Sequence, residues 1–419
     1  MTTEGRVCVV GLGYIGLPTA SILATKGFEV LGVDVNRETV ETINGGDIHI
    51  VEPDLDVLVR SAVQSGNLRA ATEPQRADVF ILAVPTPLTD DNRPDISAVE
   101  AGTRSIAPWL EPSNLVILES TSPVGTTEKV SDWLSELRPD LRLPEWGAGE
   151  DAADPDAVLV AHCPERVLPG RILEELVNND RVIGGVDGAS TARARAFYDK
   201  FVGGRILLTD SRTAEMSKLA ENAYRDVNIA FANELSLLCD QFGIDVRELI
   251  DLANHHPRVQ ILSPGPGVGG HCIPIDPWFI IDSAKDKAPL LRAAREVNVA
   301  KLQHVVERVR EVASTMSRPV IACLGLAYKN DVDDLRESPA VEIADRLATD
   351  GAATVWAVEP HIEALPERLE ELGVRLVDLP KALDEADLVV ALVRHRDFQA
   401  IRPEQLWDKA VIDTCGLFR

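Results

Sequence analysis

Short apolar runs separated by helical periodicity set the frame of this chain. Arg6-Val-Cys-Val-Val-Gly11 reads as a buried strand. A glycine-rich turn and a helix follow it, and Glu29-Val-Leu-Gly-Val-Asp34 reads as a second strand. Further strands are expected at 78–84 and 115–118, and in Val158-Leu-Val-Ala and Arg181-Val-Ile-Gly-Gly. Continuous apolar strands alternating with helical segments predict a parallel sheet covered on both faces. Residues 145–157 carry no period and read as an acidic surface loop.

From about Thr213 to Gln241 the pattern is helical throughout, a span of roughly 43 Å. Its second half, from Val227 to Leu238, is apolar on more than one face. Such a helix needs cover from several sides, as a linker between domains and also against a second subunit. Near Arg318 strands return: one from Pro319, then 354–358, 374–377, 388–393 and 410–413. Ser338-Pro339 starts a helix that Gly351 closes. The reading is α/β throughout. It has an N-terminal Rossmann domain (1–208), a central long-helix segment (209–312) and a C-terminal Rossmann-like α/β domain (313–419). A chain of 419 residues exceeds one ordinary core, which suits this division.

Composition narrows the function classes. The net charge is −25, from 67 acids against 42 bases, so a nucleic-acid partner is not expected. An anionic ligand must instead meet a local group of cations or helix N-termini. Only 10 of the 42 bases are Lys, a balance that suits a salt-rich cytoplasm or a GC-rich genome. No apolar stretch is long enough to span a membrane, and the N-terminus lacks the cationic region and cleavage site of a signal peptide. A cytoplasmic protein is expected. The six cysteines, at 8, 163, 239, 272, 323 and 415, form no CxxC pair, so neither a disulfide framework nor a metal site is expected. Cys8, Cys239 and Cys323 sit in apolar runs as core residues.

Gly11-Leu-Gly13-Tyr-Ile-Gly16 ends a strand and opens a helix. Gly11 permits the tight turn, Gly13 admits a pyrophosphate to the backbone and Gly16 lets helix and strand pack. Asp34 ends the next strand, where a carboxylate accepts from ribose hydroxyls and repels a 2′-phosphate, so NAD is expected over NADP. Lys218, Asn222 and Arg225 form one polar stripe on the long helix, either a solvated face or part of a site. Pro264-Gly-Pro-Gly-Val-Gly-Gly-His-Cys272-Ile-Pro-Ile-Asp276 delivers one thiol, with a carboxylate four residues on, from a rigid loop. That pattern suits a covalent nucleophile, against the alternative of a tight turn with a buried Cys. Thr86, Thr121 and Thr126 follow strands, where hydroxyls either bind ligand or cap turns.

Taken together the chain resembles the nucleotide-sugar 6-dehydrogenase family, which includes UDP-glucose and GDP-mannose dehydrogenases. The resemblance rests on His49-Ile-Val-Glu-Pro-Asp-Leu55, Cys163-Pro-Glu-Arg-Val-Leu-Pro-Gly170, Asn179-Asp-Arg-Val-Ile-Gly-Gly185 and Arg225-Asp-Val-Asn-Ile-Ala-Phe-Ala-Asn-Glu-Leu235. It continues in His256-Pro-Arg258-Val, Gly267-Val-Gly-Gly-His-Cys-Ile, Asp276-Pro-Trp-Phe-Ile and Asp334-Leu-Arg336-Glu-Ser-Pro. It implies a four-electron oxidation of a sugar C6 alcohol to a carboxylate with two NAD and one water, in a homodimer or higher homo-oligomer.

The same resemblance implies that Tyr14, Ile15, Asp34, Thr86, Thr126 and Arg336 surround NAD. Cys272 would attack the C6 aldehyde, with Lys218 and Asn222 stabilising the oxyanion and Thr121, Glu165 and Asp276 holding the water. Arg166, Val167, Lys218, Asn222, Arg225, His256, Arg258, Gly269 and Lys329 would contact the nucleotide sugar. There are two departures from the family's pattern. Ile275 stands where the UDP-glucose branch has Lys, which favours a UDP-linked 2-acetamido sugar: UDP-N-acetyl-mannosamine first, UDP-N-acetylglucosamine as the alternative. Cys415 stands where relatives carry Arg or Lys. A two-electron hydroxyacid dehydrogenase has no use for Cys272, and a non-catalytic NAD-sensing module leaves both Lys218 and Cys272 unexplained.

Overall fold

The computed structural model describes residues 4–146, 154, 156–168 and 170–418. Much of the acidic segment expected as a surface loop at 145–157 lies outside them. Two compact units emerge: residues 1–221 with 278–283, and residues 222–277 with 284–419.

In the first unit eight strands form one sheet: β1 (Arg6–Val10), β2 (Glu29–Val33), β3 (Leu68–Ala71), β4 (Val79–Leu82), β5 (Leu115–Leu118), β6 (Leu159–His162), β7 (Arg181–Gly185) and β8 (Ile206–Asp210). Their order is β3-β2-β1-β4-β5-β6-β7-β8. β4 and β5 are wholly buried, as an apolar run covered on both faces requires. Two separate apolar clusters lie in this unit, one built on Val7, Val9 and Ile81 and the other on Cys8, Phe80 and Leu82, so alternate residues of one strand face opposite layers.

The expectation of an all-parallel sheet needs correction. β6 and β7 pair antiparallel, and β8 follows β7 in parallel. An apolar run carries no sign of its direction, so periodicity could not distinguish the two pairings. The short strands β3 and β8 and the helices Arg37–Asn44 and Leu55–Gln64 were also absent from the sequence reading.

The second unit holds β9 (Val320–Leu324), β10 (Thr354–Val358), β11 (Arg375–Leu376), β12 (Leu388–Ala391) and β13 (Ala410–Asp413), in the all-parallel order β11-β10-β9-β12-β13. Ser338 caps the following helix by accepting from the Ala340 N–H, with Pro339 at its first position, as the sequence predicts. The long helix runs Ser211–Phe242, starting at the end of β8. Tyr224, Phe231, Leu238 and Phe242 lie exposed along it. None of the described helices is long and apolar enough to cross a membrane.

Candidate active site

The glycine turn comes first because its geometry is demanding. Gly11 has φ +93°, and a Cβ there would stand 2.4 Å from the Ala83 carbonyl oxygen. A Cβ on Gly16 would fall 1.8 Å from the Gly11 oxygen, so helix and strand touch through this residue. A Cβ on Gly13 would meet nothing within 4 Å. The space above Gly13 is therefore open for a ligand, and no side chain caps the start of the Gly16–Thr25 helix. Both features fit a pyrophosphate at a helix N-terminus. Tyr14 and Ile15 are half-buried in the turn. Asp34, also half-buried, accepts from the Leu12 N–H at 3.0 Å and the Asn36 N–H at 2.9 Å, which fixes its carboxylate beside the turn.

The loops after β4 and β5 are joined by the Thr86 hydroxyl, which donates to the Thr121 carbonyl at 2.6 Å. Thr126 is buried at the start of the Thr126–Leu137 helix, and its hydroxyl donates to Pro123. Sequence reasoning overlooked Glu215 here. Its carboxylate accepts from the Gly125 N–H at 2.6 Å and from the Thr127 N–H at 2.7 Å and hydroxyl at 2.6 Å. Burial pushes Glu215 up to about 7 against these hydrogen bonds. It stands one helical turn before Lys218, which is half-buried.

A second overlooked group surrounds Glu165. Arg181, 2% exposed, places a guanidinium nitrogen 2.6 Å from Glu165 and 3.8 Å from Glu119, and all three are buried. Burial, then the Glu165 charge, holds Glu119 well above the ordinary carboxylate range. The sequence signal was an acid directly after the apolar run Leu115–Leu118. Arg166 points its guanidinium at Glu221, with Nε 3.1 Å from one oxygen and Nη2 2.5 Å from the other. Val167 packs against the nearby core.

In the second unit Asn222 donates to Asp276 at 2.5 Å. The Cys272 carbonyl accepts from the Ile275 and Asp276 N–H groups, a turn that leads from the glycine loop into the Asp276–Ala284 helix. Asn233 of the long helix accepts from the Gly265 N–H at 3.0 Å and so holds the start of the glycine loop. Cys272 is exposed, whereas Cys8, Cys163, Cys239 and Cys323 are buried and Cys415 is intermediate. Gly269 packs tightly: a Cβ there would stand 2.6 Å from the Glu337 oxygen and 2.6 Å from Pro339. Arg225, His256, Arg258 and Lys329 are exposed. Arg336 forms a two-pronged pair with its neighbour Asp334, at 2.9 and 2.8 Å.

Asp331, His361 and His395 bring possible ligand atoms within 4.8 Å of one another. His395 is already committed, however. Its Nδ1 accepts from the Asp331 N–H at 2.9 Å, and its Nε2 faces Glu359 at 3.0 Å. An ion there would have to break two hydrogen bonds, so the cluster reads as an anchor for the loop after β9.

Comparisons with known proteins place the chain in a family. Residues 5–202 match the NAD binding domain of the UDP-glucose/GDP-mannose dehydrogenase family, 212–300 its central domain and 322–419 its UDP binding domain. The chain is 57% identical to an NDP-N-acetyl-D-galactosaminuronic acid dehydrogenase of Ralstonia nicotianae, over 98% of this chain and 96% of the relative. It is 54% identical to a UDP-N-acetyl-D-mannosamine dehydrogenase of Yersinia pestis, over 99% of each. The solved structure of a UDP-D-ManNAc dehydrogenase from Pyrococcus horikoshii superposes with a TM-score of 0.86 at 38% identity, over 99% of this chain and 96% of that one. The chain belongs to the UDP-glucose/GDP-mannose dehydrogenase family and is an NAD-dependent nucleotide-sugar dehydrogenase.

Proposed function

We propose that this enzyme oxidises UDP-N-acetyl-D-mannosamine at C6, through the aldehyde, to UDP-N-acetyl-D-mannosaminuronate. The observation that carries the reading is the exposed Cys272 in a glycine loop, followed by Asp276 held by Asn222. Bound NAD would supply the hydride acceptor for each of the two oxidations. Between them the Cys272 thiolate adds to the C6 aldehyde, and the thiohemiacetal so formed is oxidised to a thioester. Water cleaves the thioester, releasing carboxylate and regenerating the thiol; a thiolate suits the role because it adds readily and leaves well.

Lys218 and Asn222 supply donors to the developing oxyanion. Asp276, with Thr121 and Glu165, orients the water. Glu165 pairs one oxygen with Arg181 and accepts from the Arg166 N–H with the other, so water shares an oxygen that is already hydrogen-bonded. Tyr14, Ile15, Asp34, Thr86, Thr126 and Arg336 line the cofactor. Arg166, Val167, Arg225, His256, Arg258, Gly269 and Lys329 meet the nucleotide sugar. For Arg166 this means exchanging Glu221 for phosphate, a charge-assisted bond for a charge-assisted bond.

The three-part division at 1–208, 209–312 and 313–419 belongs to the same proposal. So does a homodimer, supported by the exposed Tyr224, Phe231 and Leu238, which recur every seven residues along the long helix. Cysteines without disulfides suit the cytoplasm.

The 57% identity to a relative named for N-acetyl-galactosaminuronic acid favours a second reading, in which the sugar is the galacto epimer. The test is a panel of UDP-N-acetyl-mannosamine, UDP-N-acetylgalactosamine, UDP-N-acetylglucosamine, UDP-glucose and GDP-mannose, following NADH and identifying the uronate by mass. A site shaped for a 2-acetamido group loses about 2–5 kcal/mol when the group is missing. UDP-N-acetyl-mannosamine should exceed UDP-glucose and GDP-mannose at least a hundredfold in kcat/KM. UDP-glucose as best substrate would overturn the acetamido reading; another 2-acetamido sugar as best substrate would overturn only the epimer.

A further inference from the structure

A cavity of about 300 Å³ opens in the second unit, bounded by the Ser263–Gly267 segment and by the residues that follow β9, β12 and β13. In the order β11-β10-β9-β12-β13 the connection reverses between β9 and β12. Ligands of doubly wound sheets bind outside the carboxyl ends of the strands at such a reversal. Ala327 and Tyr328 after β9, and Val393 and Arg394 after β12, line the cavity from either side of it.

The charge of the lining is unlike that of the chain. Among the described residues that line the cavity, Arg394 is the one Lys or Arg, and there is no carboxylate, although the chain carries −25. Arg394 is exposed, and no hydrogen bond or ion pair to another described residue occupies it. Its backbone is nonetheless fixed on both sides. Leu392 and Val393 donate to the Leu324 carbonyl, His395 is held by Asp331 and Glu359, and the Arg396 N–H donates to Asp331 at 2.9 Å. A fixed backbone that carries a free guanidinium is a prepared anion contact. Ser263, Tyr328 and Asn330 in the lining offer no positive charge, and burial pushes the Cys415 thiol up to about 12, so it stays neutral.

We propose that Arg394 is a further cation, in addition to Arg166, that engages the diphosphate of the bound nucleotide sugar, and that it does so from this cavity. The inference rests on the proposed reading of the second unit as the nucleotide-sugar side of the enzyme. It makes Arg394 a binding residue selective for phosphate rather than for base or sugar.

The test compares UDP with uridine by calorimetric titration on the full-length protein and its Arg394→Ala, Arg394→Lys and Arg394→Ala/Cys415→Arg variants. Arg394→Ala should weaken UDP at least tenfold, flatten the dependence of UDP affinity on salt and leave uridine within twofold. Arg394→Lys should keep part of the affinity. Arg394→Ala/Cys415→Arg should regain part of it, because the second site faces the same cavity. Unchanged UDP affinity in Arg394→Ala would overturn the proposal, as would equal losses for UDP and uridine, which mark a structural role. The titrations need no turnover, so they decide on Arg394 even where the sugar panel overturns the proposed substrate.

Discussion

The first strand of each sheet ends in the same device, put to opposite use. Gly11 after β1 and Gly325 after β9 have φ +93° and +88°. Each donates its N–H to the last residue of the neighbouring strand, Gly11 to Val33 and Gly325 to Val358. The next residue along that neighbour is an acid in both cases. Asp34 accepts from the Leu12 N–H, and Glu359 accepts from the Leu326 and Ala327 N–H groups at 2.7 and 3.0 Å. There the likeness stops. Asp34 is half-buried, whereas Glu359 is 4% exposed and closed off by His395. After Gly11 a helix begins at Gly16, but after Gly325 no helix begins until Pro339. The same strand–glycine–acid geometry therefore leaves a half-buried carboxylate beside the turn in one sheet, where we propose that it meets the ribose, and ties down a loop in the other. Exposure of the acid decides which.

The largest effects should come from the two glycines. A Cβ on Gly325 would stand 2.4 Å from the Val393 Cβ, as one on Gly11 would from the Ala83 oxygen. Each Gly→Ala change should cost about 2–4 kcal/mol locally through strain and overlap. Gly11→Ala should abolish measurable NAD binding and spare UDP, and Gly325→Ala should do the reverse; titration of each ligand would expose any crossover, which would break the comparison. Next comes Glu359→Gln, which leaves several buried donors facing a weaker acceptor. A loss of about 2–4 kcal/mol in denaturant unfolding is expected, with the KM for NAD unchanged.

Glu215 gives the first unit a pH signature. Its native value of about 7 lies above the ordinary 4.5. The stability it contributes is thus full below pH 4.5 and lost as pH rises through 7. Relative to Glu215→Gln, the wild type should lose of order 2–3 kcal/mol across that window, seen as converging or crossing melting curves. A constant offset at every pH would contradict the burial argument. Asp34→Asn should act on affinity alone: NAD about tenfold weaker, discrimination against NADP relaxed at least tenfold, and Tm nearly unmoved. The smallest effect is shared by both units. With a charge of −25, Tm should climb by a few degrees between about 0.1 and 2 M KCl if self-repulsion is appreciable, and stay flat if it is not.

The pieces legible in the sequence were those with a local cause. The glycine turn, the Ser338 cap and the long helix each declare themselves within a few residues. What escaped was set by distant parts of the chain. Glu215 takes its place from Gly125 and Thr127, some ninety positions earlier, and Arg181 from Glu165 and Glu119. The reversal at β7 depends on which side of β6 the chain returns, which an apolar run does not record. Exposure of Cys272 against burial of Cys163 likewise follows from tertiary packing, although the glycine-rich surroundings of Cys272 hinted at it.

The central claim is that one thiol captures the aldehyde left by the first oxidation and carries it through the second. The direct measurement is the number of NADH formed per UDP-N-acetyl-mannosamine consumed, in the wild type and in Cys272→Ser under single-turnover conditions. The account predicts two NADH and a uronate from the wild type, and near-complete loss of turnover in Cys272→Ser with UDP-sugar binding largely kept. One NADH per sugar from the wild type, or two from Cys272→Ser at an undiminished rate, would contradict it.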